Sequence, residues 1–134
     1  MRARCIATTL TQAQRHVSKT SPLFAPEFEI TVGKEYLVFG IQFLTQSKIY
    51  GCTTLFEVED DAGRLVATPA VLFELTDPRG SRSWEGRNVG DGAFLLWPAE
   101  FHREYFHDDL SNGEGDAMTV FAKVKQSFAA EFGT

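Results

Sequence analysis

The sequence has no long hydrophobic run. Nowhere in its 134 residues does a stretch approach the roughly 20 apolar residues of a membrane-spanning helix. The opening residues, Met1 to Ile6, include two arginines and do not begin the apolar stretch of about 7–15 residues that a secretory signal requires. The sequence therefore predicts a cytoplasmic protein without a membrane anchor.

Cysteine is scarce, with Cys5 and Cys52 as the two copies. Their spacing fits neither a metal-binding knuckle nor a disulfide framework. Both lie within apolar, strand-like stretches, so we expect buried free thiols, since free cysteine behaves as a small hydrophobic residue. An exposed reactive thiol and an adventitious pair are the alternatives.

Motifs for catalysis or metal binding are also missing. His102 and His107 are five positions apart, about 140° around a helix, so they do not stack as a zinc-binding pair would. The adjacent carboxylates Asp60–Asp61 and Asp108–Asp109 have no shared reacting centre, because neighbouring residues point apart or into water. The glycines of residues 86–92 do not follow a phosphate-loop pattern. The sequence predicts no catalytic residues, no metal and no cofactor.

Positive charge is in deficit, since the net charge is −5. Acidic residues concentrate between positions 57 and 61 and between positions 100 and 116. Such a surface repels phosphate and attracts a basic partner, so nucleic-acid binding is disfavoured. The candidate partner-binding carboxylates are Glu57, Glu59, Asp60, Asp61, Asp108 and Asp109.

Alternating apolar and polar residues are the main structural signal that is present. Residues 35–44 and 50–59 alternate with the two-residue period of strands, and Asp60 to Gly63 is a turn sequence between the second strand and a short third one. After Thr68-Pro69, residues 71–75 are again extended and apolar. This order resembles an SH3-like barrel, which implies a last hairpin, a one-turn 3₁₀ helix and a closing strand between Gly63 and Leu75.

Further elements are predicted on both sides of this stretch. Residues 1–9 are extended, the capping box Thr11–Gln14 begins a short helix to about Val17, and residues 27–32 form a brief strand. Leu23 and Phe24 are expected to pack on the core from a loop. Residues 76–92 are predicted to be a loop, and residues 93–97 a short strand or a buried connector. Residues 99–110 are predicted to form a helix, and a second helix follows Gly115 with Asp116 as its cap.

Together these patterns predict a single α+β domain. It is a small SH3-like antiparallel β-barrel, with a body of about residues 1–75, and C-terminal helices packed on it within an extension of about residues 76–134. The apolar content of 43% is sufficient for one core in a chain of this size.

Trp84 has three arginines near it in sequence, Arg79, Arg82 and Arg87. One interpretation is a loop whose tryptophan packs on the barrel. The other is a ligand-contact patch, since tryptophan and arginine are frequent at interfaces and pair through cation–π contacts. Trp84 is therefore included among the candidate partner-binding residues.

These observations favour a non-enzymatic protein-binding module whose carboxylates pair with a basic partner. In size, acidity and aromatic content the chain resembles the immunity proteins that bacteria make against basic toxin nucleases, which implies that covering a cationic active site is its function. One alternative is a nucleic-acid or ribosome-associated SH3-like module that uses Trp84 and the arginines Arg2, Arg4, Arg79, Arg82 and Arg87. Another is a small hydrolase or isomerase built on Cys52 and a histidine.

Overall fold

The computed structural model describes residues 1–21, 26–90 and 92–133. Leu23 and Phe24, predicted to pack on the core, lie outside the described residues. The elements are strands β1 (Arg2–Cys5), β2 (Glu35–Leu37), β3 (Gly40–Ser47), β4 (Gly51–Glu59), β5 (Leu65–Pro69), β6 (Phe73–Asp77), β7 (Trp84–Val89) and β8 (Ala93–Pro98), helices α1 (Gln12–Ser18), α2 (Phe106–Ser111) and α3 (Gly115–Phe132), and 3₁₀ turns Ala70–Leu72 and Ala99–His102.

The strands form two antiparallel sheets. One has three strands in the order β2-β1-β6, and the other has five in the order β5-β4-β3-β8-β7. The α+β class is confirmed. The two sheets are not closed into a barrel, however, so the SH3-like barrel is not confirmed, and β1 pairs with β2 and β6 rather than with the sheet of β3 and β4.

The predicted strand over residues 35–44 is divided between the two sheets. Its interruption is at Val38 and Phe39, which are both buried. The Val38 amide donates to the Met1 carbonyl, and the Phe39 amide donates to the Glu57 carbonyl. The chain therefore crosses from one sheet to the other at these two residues.

The hairpin between β4 and β5 is confirmed. Asp60 Oδ1 accepts hydrogen bonds from the amides of Ala62 and Arg64, and Gly63 adopts a φ of +81°, a conformation that glycine tolerates best. The predicted 3₁₀ turn and following strand are also present, as Ala70–Leu72 and β6.

The prediction of a strand over residues 27–32 is wrong. The residues there are irregular. Their backbone groups make separate hydrogen bonds to different parts of the chain and do not form a strand ladder. The Phe28 amide donates to the Thr8 carbonyl, and the Thr31 amide donates to the Tyr36 hydroxyl at 2.8 Å.

The last third of the chain differs from the prediction in two places. Strand β7 lies in a stretch predicted to be a loop, and the predicted helix over residues 99–110 is divided into a 3₁₀ turn and α2. The division occurs at Tyr105, whose φ of 62° is left-handed and cannot continue a helix. Helix α3 is confirmed, but Asp116 lies in its first turn, and its N-cap is Glu114 without a side-chain hydrogen bond.

Two hydrophobic clusters hold these elements together. The first lies between the sheets and includes Ala3, Ile41 and Phe56. The second packs Phe39 against the C-terminal segment, with Phe101, Phe106, Phe121, Val124 and Phe128 as further buried members. Trp84 packs against both clusters, and its Nε1 donates to the Phe39 carbonyl at 2.9 Å. Among the described residues, no helix has the length and apolar character that crossing a membrane would need.

Candidate functional site

Two of the carboxylates predicted to face solvent are buried. The Glu57 side chain is 1% exposed, because its strand lies between two others in the five-stranded sheet and His107 of α2 lies against it. The Asp60 side chain is 2% exposed and organises the hairpin turn, where it also accepts from Arg64 at 3.2 Å. The prediction that Glu57 and Asp60 form part of a solvent-facing acidic surface is therefore wrong.

The other two hairpin carboxylates have cationic partners on the same chain. Glu59 is 2.9 Å from Lys125 Nζ on α3. Asp61 is 2.8 Å from Lys34 Nζ and also accepts hydrogen bonds from Thr31 Oγ1 and the Tyr36 hydroxyl. These contacts neutralise the hairpin end internally and leave it little charge with which to attract a basic surface.

The hydrogen bonds from Lys34, Thr31 and Tyr36 lower the pKa of the Asp61 carboxyl to about 2. An aspartate carboxyl ordinarily has a pKa of about 3.9, so the stabilisation from ionised Asp61 is complete above that pH and is lost as pH falls toward 2. We therefore expect Asp61→Asn to lower the urea midpoint at pH 6 and to lower it much less at pH 2.5. Equal lowering at both pH values would show that the carboxylate charge is not what stabilises this loop.

The C-terminal carboxylates differ from those of the hairpin. We call Glu104, Asp108, Asp109, Glu114 and Asp116 the C-terminal acidic surface. Within the part of the chain that the structure describes, Asp109 has an ion pair, to Arg103 at 3.7 Å, and none of the other four has one within 4 Å. Arg103 lines one hollow with Asp109, Glu114 and Asp116, and it lines another with Glu104, Asp108 and Arg87. Five carboxylates therefore share these two hollows with two arginines.

A buried carboxylate–imidazole pair lies beside this surface. Glu57 Oε1 is 2.5 Å from His107 Nε2, and Gln42 Nε2 donates to the other carboxylate oxygen at 3.3 Å. Removing an ionised carboxylate from water is costly unless it is paired and hydrogen-bonded. The pair therefore fixes α2 on the sheet and holds the imidazole in one orientation.

Aromatic rings enclose His107. Its ring centroid is 4.5 Å from that of Trp97, 5.5 Å from that of Phe101 and 5.6 Å from that of Phe106. Gly40 permits this packing, since a Cβ there would lie 2.5 Å from a Trp97 ring carbon. The His107 side chain nevertheless remains 33% exposed, so one side of the ring faces outward.

The outward side of His107 lines a cavity of about 340 Å³, which we call the Trp97 groove. Side chains of β7 and β8 form one wall, and the segment from Phe101 to Asp108 forms the other. The residues that give the groove its chemistry are Arg87, Trp97, Glu104, Tyr105, His107 and Asp108.

His102 also lies against Trp97, with 5.2 Å between ring centroids, and its Nε2 is 2.9 Å from the Glu85 carbonyl. Both histidines therefore have partners in the protein. Among the residues that the structure describes, no group of three or more His, Cys, Asp or Glu side chains is placed to hold a metal ion.

Trp84 and the nearby arginines do not form one exposed patch. The Trp84 side chain packs on both hydrophobic clusters, as the first of the two interpretations expects. Arg79 is paired with Asp77 at 2.6 Å, and Arg87 is 3.9 Å from Glu85. Arg4 lies on the three-stranded sheet between Glu35 and Glu74, so the cations of the nucleic-acid alternative are distributed and largely paired with acids.

The two cysteines have different environments. Cys5 is buried as predicted, and burial raises the pKa of its thiol. Cys52 is exposed, which contradicts the prediction that both thiols are buried. It is the second residue of β4, in the half of the strand that is less buried.

The fold and the site together define a small α+β protein with two antiparallel sheets and a groove between the larger sheet and the α2 segment. No protein-family model, no curated protein and no solved structure matches the chain.

Proposed function

We propose that this chain is a non-enzymatic protein-binding module that recognises a basic partner through the C-terminal acidic surface. The observation that supports the proposal is the imbalance of charge there, where five carboxylates share two hollows with Arg87 and Arg103. The hairpin carboxylates, which the sequence also suggested, are neutralised or buried and have no part in it.

The chemistry of the surface suits such a role. A surface of exposed carboxylates raises the association rate of a positively charged protein and disfavours acidic competitors. Because Glu104, Asp108, Glu114 and Asp116 have no internal cation within 4 Å among the described residues, a partner's lysines and arginines would not have to displace one. A cytoplasmic immunity protein that neutralises a basic toxin nuclease is the narrower form of this proposal.

The test is affinity capture from the source cell, at low and at moderate salt, with the wild type and two matched variants. Glu114→Gln with Asp116→Asn removes two charges from the C-terminal acidic surface. Glu27→Gln with Glu74→Gln removes two exposed charges elsewhere. We expect a basic protein to be captured by the wild type and the control, and at least fivefold less by the surface variant.

Two results would contradict the proposal. One is the absence of an enriched basic protein at either salt concentration. The other is equal capture by the surface variant and the control, because a sequence-independent effect of net charge would change both equally.

A further inference from the structure

We propose that the Trp97 groove is a pocket for one arginine side chain of the basic partner. This inference rests on the proposed function and adds to it the chemical group that is recognised. Three features of the groove carry it: its charge, its aromatic lining with the exposed Tyr105 ring, and the fixed position of its floor.

The groove is anionic once the ion pairs of its own residues are considered. Arg87 is 3.9 Å from Glu85, and Arg103 is 3.7 Å from Asp109, so both cations at its edge already have acidic neighbours. Glu104 and Asp108 line the groove without an ion pair to any described residue. An incoming cation therefore meets two free carboxylates, whereas an incoming anion meets arginines that are already paired.

The aromatic side chains provide the second feature. Tyr105 is 66% exposed, and its backbone is left-handed at a φ of 62°, a conformation that costs roughly 1 kcal/mol or more for a residue that is not glycine. The fold thus exposes the Tyr105 ring, and the half-buried Trp97 lines the same cavity. A guanidinium is planar, weakly hydrated and attracted to aromatic faces, so it can stack there while it pairs with a carboxylate.

The floor of the groove is fixed by the Glu57–His107 pair. Glu57 is buried and bonded to His107 Nε2, so the imidazole cannot rotate without breaking that bond. A preorganised wall reduces the entropy lost when a side chain is immobilised. The cavity of about 340 Å³ lies near the lower end of the roughly 300–1,000 Å³ typical of ligand sites, which suits one side chain rather than a long segment.

The test uses two short capped peptides as probes, Gly-Arg-Gly and Gly-citrulline-Gly. Citrulline has nearly the shape of arginine without its charge. Titration is followed by NMR through the indole N–H signals, with Trp97 in the groove and Trp84 as an internal control, because Trp84 Nε1 is bonded to the Phe39 carbonyl. We expect the Trp97 signal to shift saturably with the arginine peptide, and both signals to stay in place with the citrulline peptide.

Two variants test whether the arginine peptide binds in the Trp97 groove. Tyr105→Asn removes the ring but keeps a residue that tolerates the left-handed backbone, and Asp108→Asn removes one charge. We expect each to weaken binding of the arginine peptide at least threefold, while Glu27→Gln leaves it unchanged. Equal shifts with both peptides, no shift of Trp97, or insensitivity to both groove variants would overturn the inference.

The two proposals fail separately. Glu114 and Asp116 lie outside the groove lining, so loss of partner capture in their variant, with no binding of the arginine peptide at Trp97, overturns the pocket and supports the acidic surface. Peptide binding at Trp97, with capture unaffected by the surface variant, supports the pocket and contradicts the surface.

Discussion

Phe101→Ala is expected to lower the free energy of unfolding by about 3–5 kcal/mol, the usual cost of removing a buried phenylalanine side chain. Phe101 is 1% exposed, and its ring contacts Phe106 at 5.0 Å, Phe121 at 6.3 Å and Trp97 at 6.5 Å between centroids. Its loss leaves a cavity where α2, α3 and the larger sheet meet, and rigid elements around it limit how far that cavity can collapse.

The control for Phe101 is Phe94→Ala. Phe94 is 38% exposed and packs against Phe43 across the strands, with 6.0 Å between ring centroids. Its removal is expected to cost about 1 kcal/mol, the contribution of an exposed aromatic pair. Urea unfolding followed by circular dichroism measures both variants. A similar loss in the two would contradict the assignment of Phe101 to the core.

His107→Leu is expected to lower the free energy of unfolding by about 3 kcal/mol, because it leaves the buried Glu57 carboxylate without its partner. We expect the lower end of the range for broken buried pairs, since His107 is 33% exposed and water can reach the site. Leucine fills most of the imidazole volume, so a cavity contributes little to this loss.

The double variant Glu57→Leu with His107→Leu makes the prediction sharper. Replacing both members of a buried pair by apolar residues is often neutral, so we expect the double variant to unfold at a higher urea concentration than His107→Leu alone. Circular dichroism at pH 7 measures both. If Glu57→Leu instead adds a further loss to that of His107→Leu, the uncompensated carboxylate is not the cause of the destabilisation.

Local features of the fold could be predicted from the sequence because they depend on neighbouring residues. The capping box of α1 is present, with Thr11 and Gln14 bonded reciprocally, and α3 buries the apolar stripe that contains Phe121, Val124 and Phe128. The division into two sheets could not be predicted, because it depends on backbone hydrogen bonds between residues far apart in sequence. These bonds join Val38 to Met1 and Phe39 to Glu57, and they separate β2 from β3. Strand β7 has mostly exposed side chains and lacks an alternating pattern. Its backbone pairing with β8 therefore could not be predicted from the side chains.

The candidate site shows the same limit. The acidic stretches are visible in the sequence, but the sequence does not show which acids the fold neutralises. Lys125 approaches Glu59 from α3, and Lys34 approaches Asp61 from the turn before β2. Glu57 and His107 are 50 positions apart, and no pattern in the sequence connects them. A glutamate in the middle of a strand, on the face that also holds Leu55, was the one local sign that a buried partner was needed.

Trp84 has a consequence for how the chain loses its structure. Its indole belongs to the packing of both hydrophobic clusters and is hydrogen-bonded to Phe39, the residue at which the chain crosses between the sheets. Neither cluster can open without disturbing that ring, so local unfolding of one hydrophobic cluster destabilises the other. Amide protons of the two sheets should therefore exchange with deuterium through a common, cooperative opening.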